Sequence, residues 1–284
     1  MDKVLEIKNL RVSYHTYAGE VQAVQSEKEW CDYRGAKCSM IFQDALTSLN
    51  PTMNIGKQIM ENILNHNKLD KSEAKKRALT MLRLAGIPDE EMCMKKYPHE
   101  LSGGMRQRVM IAIALSGNPK VLIADEPTTA LDVTIQAQII ELMKKIQEEL
   151  GTTIILITHD LGVVADIADR IIVMYSGKVV EEGSCREIFF KHKHPYTWAL
   201  LKAAPSLELG KGKKLISIEG TPPDLINPPV GCPFAERCKY CMKVCLEAMP
   251  PQFEFGEGHK AACWLYHPQS GYTDIRFEEE EENE

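Results

Sequence analysis

Two stretches decide how this chain is read: Leu101-Ser102-Gly103-Gly104-Met105-Arg106-Gln107-Arg108 and, shortly after it, Val121-Leu122-Ile123-Ala124-Asp125-Glu126-Pro127. The first sets a serine and two glycines at the start of a helix. Free backbone N–H groups and the helix dipole favour an anion there. Glycine lets the backbone approach a phosphate without side-chain obstruction. The second is a continuous apolar run, the pattern of a buried strand, ending in two adjacent carboxylates. An aspartate at a strand's end can hold Mg²⁺, directly or through water. The glutamate beside it can orient and deprotonate a water for attack on a γ-phosphate. Taken singly, Ser-Gly-Gly is an ordinary helix cap and a pair of acids an ordinary strand end.

Outward from these stretches, strands and helices alternate. Val4, Leu5 and Ile7 open a short strand, and Leu10–Tyr14 form another. Ser39–Phe42 reads as a strand running into the turn Gln43-Asp44. Ile55–Leu64 and Ser72–Leu84 carry apolar residues at helical spacing, the second ended by Gly86 and Pro88. Met105–Leu115 is helical, as is Val133–Leu150, which stops at Gly151. Thr153–Ile157 reads as a second fully buried strand, followed by a helix over Leu161–Ile167. Ile171–Tyr175 and Lys178–Glu182 form a hairpin around Ser176-Gly177. This alternation predicts an α/β domain with a mostly parallel sheet.

The pattern weakens after about Leu207. Lys211–Lys214 and the prolines at 222, 223, 228 and 229 mark a linker, and a cysteine-rich segment follows. Phe277–Glu284 contains six glutamates and reads as a solvated tail. The predicted organisation is therefore a domain over 1–207 with helices over about 51–117, a linker and cysteine-rich extension over 208–270, and an acidic tail over 271–284.

Composition narrows the function. The net charge of −6 excludes a general nucleic-acid binder, which needs a basic face for phosphates. No apolar run is long enough to span a bilayer, and the N-terminus MDKVLEIKNL lacks a signal peptide's apolar stretch. These features predict a cytosolic protein whose membrane role is peripheral. In that setting nine cysteines, five of them between Cys232 and Cys263, suggest a metal more than disulfides. The spacing Cys232-x5-Cys238-x6-Cys245-x17-Cys263 suits four thiolates around an iron–sulfur cluster or a zinc ion. The Cys238-x2-Cys241 pair keeps zinc in play, and unliganded thiols are the third reading. Cys31, Cys38, Cys93 and Cys185 read as isolated thiols.

The order and spacing of the motifs resemble the ATPase subunits of ABC transporters. Gln43 matches that family's glutamine loop, Ala130-Leu131-Asp132 its aspartate loop, and His159 the switch histidine that contacts the γ-phosphate. Tyr14 matches the aromatic residue that stacks on adenine. Phe42-Gln43-Asp44-Ala45-Leu46-Thr47-Ser48-Leu49-Asn50-Pro51 and His194-Pro195-Tyr196-Thr197 narrow the resemblance to the oligopeptide/dipeptide/nickel importers. It covers roughly residues 1–270. It implies an ABC-type nucleotide-binding fold with a helical subdomain. Glu126 and His159 are then catalytic. Tyr14, Gln43, Ser102, Gly103, Gly104, Gln107, Asp125 and Asp132 bind nucleotide, with Asp125 and Gln43 on Mg²⁺. It also implies ATP and Mg²⁺ as cofactors and a four-iron–four-sulfur cluster on Cys232, Cys238, Cys245 and Cys263, with zinc as the alternative. The implied partners are a second ABC ATPase subunit, two membrane-spanning permease subunits and, indirectly, an external substrate-binding protein. The implied location is the cytoplasmic face of the plasma membrane.

One element of that family is absent. The sequence has no Gly-x4-Gly-Lys-Ser/Thr motif. Gly35-Ala36-Lys37-Cys38-Ser39 lacks the loop length and second glycine, and Lys211-Gly212-Lys213-Lys214 follows no strand. Residues up to Val24 match the family's start, and Ser26-Glu27-Lys28-Glu29 match a segment just upstream of the glutamine loop. The resemblance therefore implies that several tens of residues near 24–26 are missing: a central strand, the phosphate loop and the helix behind it. That strand is expected beside Val121–Ala124. The chain is expected to be impaired at its own ATP site. The other readings are a non-catalytic or iron–sulfur regulatory partner and a truncated gene product.

Overall fold

A computed structural model describes residues 33–67, 69–129, 131–203, 218–272, 275 and 277. The predicted strands over residues 4–14, most of the linker and the glutamates of the tail lie outside them. The chain divides into two compact units, Met1–His159 and Asp160–Glu284.

The first unit begins, within the described residues, with strand β1 (Cys38–Ile41) and the short helix α1 (Ala45–Ser48). Helices α2 (Ile55–His66), α3 (Lys71–Leu84), α4 (Glu90–Lys95) and α5 (Gly103–Ser116) follow. Each of these four starts at a residue whose side chain accepts a backbone N–H. Asn54 caps α2, Asp70 caps α3 in a reciprocal box with Glu73, Asp89 caps α4 and Ser102 caps α5. Such caps are each worth about 0.5–2 kcal/mol.

On α2, Ile55, Ile59 and Ile63 recur every four residues and are fully buried. Ala74, Ala78 and Leu82 line the buried face of α3. Polar ties reach the end of α5. Asn62 Nδ2 donates to the Ile113 carbonyl and Ser116 Oγ, and Arg77 Nε donates to the Ser116 carbonyl. Just beyond, a side chain on Gly117 would collide with the Gly35 carbonyl, so only glycine fits.

Strand β2 (Val121–Asp125), helix α6 (Val133–Leu150) and strand β3 (Thr153–Ile157) complete this unit. Strand order is β1-β2-β3, all parallel, with Val121 opposite both Cys38 and Thr153. The buried strand is thus Val121–Asp125, paired on both sides. This corrects the expectation of a vacancy beside Val121–Ala124. It also corrects the reading of Thr153–Ile157 as fully buried, since Ile155 is 38% and Ile157 47% exposed. Among the described residues β3 pairs with β2 alone.

The second unit holds α7 (Leu161–Ile167) and the antiparallel hairpin β4 (Arg170–Tyr175) and β5 (Lys178–Ser184). Ser176 (φ 47) and Gly177 (φ 73) make its two-residue turn, whose positive dihedrals match the twist of the strands. Helices α8 (Cys185–Lys191), α9 (Pro195–Ala203) and α10 (Lys243–Glu247) follow, then strands β6 (Gln252–Glu254) and β7 (Lys260–Ala262). The order β4-β5-β7-β6 adds two strands of the extension to the hairpin's edge. The register shifts opposite Val180, and both Val180 and Glu181 are buried there. Glu181 accepts from the Lys193 and His194 backbone N–H groups at 2.6 and 3.0 Å and meets His259 Nε2 at 2.9 Å. These contacts fix the His-Pro-Tyr segment to the sheet. No described helix is long and apolar enough to cross a membrane.

Candidate nucleotide site

Parallel strands bring their C-terminal ends to one edge of a sheet, where α/β proteins bind ligands. Gln43 follows β1, Glu126 follows β2 and His159 follows β3, so three distant residues arrive at that edge. The Glu126 backbone lies in the left-handed region (φ 44), uncommon for a non-glycine residue. Its N–H donates to the Ile157 carbonyl at 2.9 Å, which anchors it to β3. Glu126 Oε2 accepts from Gln43 Nε2 at 2.7 Å and from Thr129 Oγ1 at 2.9 Å. Oε1 lies 3.1 Å from His159 Nδ1. These contacts, that of Thr129 foremost and that of His159 next, hold the carboxyl below the usual range for a glutamate. It is an ionised acceptor. His159 is mostly exposed, its side chain 74% accessible. Asp125 sits at the same edge, opposite Ile157 in the ladder. Thr129 was missed by sequence reasoning, since a threonine one turn past an acid carries no signal of its own.

A second patch forms around the start of α5. Ser102 Oγ accepts weakly from Met105 N–H at 3.4 Å and is exposed. Gly103 is open on all sides, whereas a Cβ on Gly104 would lie 3.0 Å from Ile135 Cγ2. Ile135 belongs to the first turn of α6, whose cap is Asp132, accepting from Ile135 N–H at 3.0 Å. Gly104 thus packs on the first turn of α6, the turn that Asp132 caps. Gln107 differs from these residues. It is 4% exposed, and its amide nitrogen has no partner among the described residues. Gln107 is therefore buried, whereas Ser102 and Gly103 are exposed. Tyr14 lies outside the described residues.

The cysteines form a third group, in the second unit. Cys232, Cys238, Cys245 and Cys263 line one small cavity together with His194, Phe234 and Trp264. Burial pushes Cys232 up to about 11, and Cys238 and Cys263 up to about 12. Among the described residues no three acids, histidines or cysteines are gathered closely enough to hold a single metal ion.

The ABC transporter family model matches residues 5–129, and the model for the oligopeptide/dipeptide transporter C-terminal region matches residues 180–245. An AAA-domain model also matches residues 97–165. The oligopeptide transport ATP-binding protein OppD of Bacillus subtilis (strain 168) is 47% identical over 94% of this chain and 90% of its own length. The chain belongs to the oligopeptide/dipeptide ABC transporter ATP-binding subunit family. A dipeptide transport ATP-binding protein DppD from Lactococcus lactis is 45% identical over 95% of this chain and 93% of its own. A solved dimer of an ATP-binding cassette, in a post-hydrolysis state bound to ADP and Pi, superimposes with a TM-score of 0.52 at 33% identity. It covers 57% of this chain and 69% of the other. The fold is the ABC ATPase nucleotide-binding fold, an α/β fold with a parallel sheet and helices.

Proposed function

We propose that this chain is the ATP-binding subunit of a peptide importer, acting in a two-ATPase dimer in which its own phosphate site is impaired. The observation that carries the reading is a mismatch. Ser102, Gly103, Gly104, Asp125, Glu126, Asp132 and His159 are present, while a Gly-x4-Gly-Lys-Ser/Thr motif is not. Two further observations support it. The match to the Bacillus subtilis relative runs over 323 positions, more than the 284 residues of this chain, so the relative has several tens of residues without a counterpart here. Among the described residues the apolar strand β3 has an edge without a partner strand, where a further strand would hydrogen-bond.

The chemistry follows from what each patch offers. The strand-end edge supplies acceptors: Asp125 for Mg²⁺ with Gln43 beside it, and Glu126 and His159 around a water. A triphosphate also needs a nest of N–H groups and a lysine, which the phosphate loop provides in ABC ATPases. The Ser102 patch supplies N–H donors at a helix start and suits a phosphate held by a partner subunit. In this account the chain lends Ser102, Gly103, Gly104 and Asp132 to the partner's nucleotide. Its Glu126 half-site is idle. The dimer would stand peripherally on two permease subunits at the cytoplasmic face, fed by an external binding protein. Peptide rather than nickel as cargo is supported by the names of the relatives.

Cys232, Cys238, Cys245 and Cys263 are the residues that would hold a four-iron–four-sulfur cluster, and the lack of a close-set ligand group among the described residues weighs against the zinc alternative. A cation there would supply the positive charge that four buried thiolates require. Their shared cavity supports this assignment.

The test is ATP binding by the isolated chain and by its mixture with an intact ATPase subunit. Binding only in the mixture is expected. Micromolar binding by the isolated chain would overturn the reading. A second reading, a sequence from which a coding segment has dropped out, is favoured by the edge of β3 that has no partner strand among the described residues. Sequencing the DNA between the codons for Val24 and Ser26 decides it.

A further inference from the structure

In sequence Phe277 stands between Arg276 and five consecutive glutamates, a setting that gives an aromatic side chain no adjacent apolar partner. Its ring nevertheless meets three others, all in the second unit. It stacks on His192 with centroids 5.9 Å apart and an interplanar angle of 17°. It lies 6.1 Å from Trp198, tilted by 39°, and 5.4 Å from Tyr240, edge to face at 63°. These separations fall within the range of about 4.5–7 Å over which aromatic rings attract. Phe277 is half-buried as a result.

The three partners come from two parts of the unit. His192 caps the end of α8 and Trp198 belongs to α9, so both flank or form the His-Pro-Tyr segment. Glu181 fixes that segment to the sheet by accepting the Lys193 and His194 backbone N–H groups. Tyr240 belongs instead to a turn of the extension, in which Cys241 N–H donates to the Cys238 carbonyl at 3.1 Å. No helix or strand holds residues 238–242. Tyr240 also lines the cavity that Cys232, Cys238, Cys245 and Cys263 share. Phe277 therefore joins a segment anchored to the sheet with an irregular stretch that walls the cysteine cavity.

We propose that Phe277 is a latch, whose ring pins the turn Cys238–Cys241 to α9 and so keeps that wall of the cavity closed. The occupant of the slot between His192, Trp198 and Tyr240 is this chain's own C-terminal segment. When the ring withdraws, the wall opens locally while the sheet and helices persist, because a segment opens at a cost set by its own contacts. The latch is independent of the ATPase reading, and it holds with or without a metal on the cysteines.

The test is hydrogen exchange, read by mass spectrometry, on the full chain and on Phe277→Ala under reducing conditions. Peptides covering Cys238–Cys245 should exchange about tenfold faster in the variant. Peptides covering α2 and β4 should be unchanged, which shows that the fold is kept. Phe277→Tyr retains a ring, and its exchange should stay within about twofold of the unaltered chain. Unchanged exchange of Cys238–Cys245 in Phe277→Ala would overturn the proposal. So would an equal acceleration of Cys238–Cys245, α2 and β4, which would make Phe277 a general stabiliser and no latch.

Discussion

Gln43 Nε2 and Glu126 Oε2 lie 2.7 Å apart, which ties the amide that follows β1 to the carboxylate that follows β2. With Thr129 and His159 on the same carboxylate, the acceptors of Glu126 are largely taken up by the protein itself. The proposed idle half-site is thus closed on itself at the sheet edge. The Ser102 patch stays exposed, and the asymmetry between the two patches can be tested by substitution.

In a mixed dimer with an intact ATPase subunit, Glu126→Gln in this chain should leave ATP hydrolysis unchanged within about twofold. Ser102→Arg should lower it by about 100-fold or more, because it removes donors aimed at the partner's phosphate. Steady-state phosphate release measures both. Equal losses for the two variants would contradict the division of labour.

The two glycines of the patch should separate stability from activity. Gly104→Val drives a branched side chain into Ile135, 3.0 Å from where its Cβ would stand. Such overpacking costs about 1–3 kcal/mol, visible in urea melts. Gly103→Ala meets nothing within 4 Å. It should be neutral or stabilising by up to about 1 kcal/mol in a helix. It should still slow the mixed dimer, since its methyl group stands where the backbone must approach phosphate.

His194 predicts a pH dependence of stability. Its Nδ1 accepts the Tyr196 N–H at 3.0 Å, which requires a neutral ring. Burial lowers it to about 3 from the ordinary 6.5. The unfolded chain therefore binds a proton before the folded one does. This stabilising contribution is complete above about pH 6.5 and shrinks as pH falls toward 3. Between pH 6.5 and 5 it should diminish by about 2 kcal/mol. Denaturant midpoints across that range measure it, and His194→Gln should flatten the slope.

Among the described residues β3 has an edge without a partner strand, and an apolar edge of that kind should make the isolated chain prone to self-association, since unpaired edges template further strands. Ile155 and Ile157 are its exposed residues. Ile157→Lys should keep the isolated chain monomeric at higher concentration, as read by light scattering.

Helix α6 and the strands beside it were legible because their signals are local. Asp132 and Gly151 bracket an uninterrupted amphipathic run, and Val121–Ala124 is apolar throughout. The meeting of Gln43, Glu126 and His159 was legible only through the family resemblance, since residues 83 and 33 positions apart share no local pattern. Strand order was not legible at all. Nothing in Val121–Ala124 tells whether its second neighbour is Thr153–Ile157 or an absent strand. Strands β6 and β7 have three residues each, too few for a period to show. The inward turn of Gln107 was hidden because its helix is apolar around nearly its whole circumference, with Val109, Met110, Ile111 and Leu115 buried.

The most direct measurement is the number of nucleotides held by the mixed dimer, with hydrolysis blocked by a glutamate-to-glutamine change in the partner. Equilibrium dialysis with labelled ATP should give one ATP per dimer. Two ATP per dimer would mean that this chain binds phosphate without a glycine–lysine loop, and the account would be wrong.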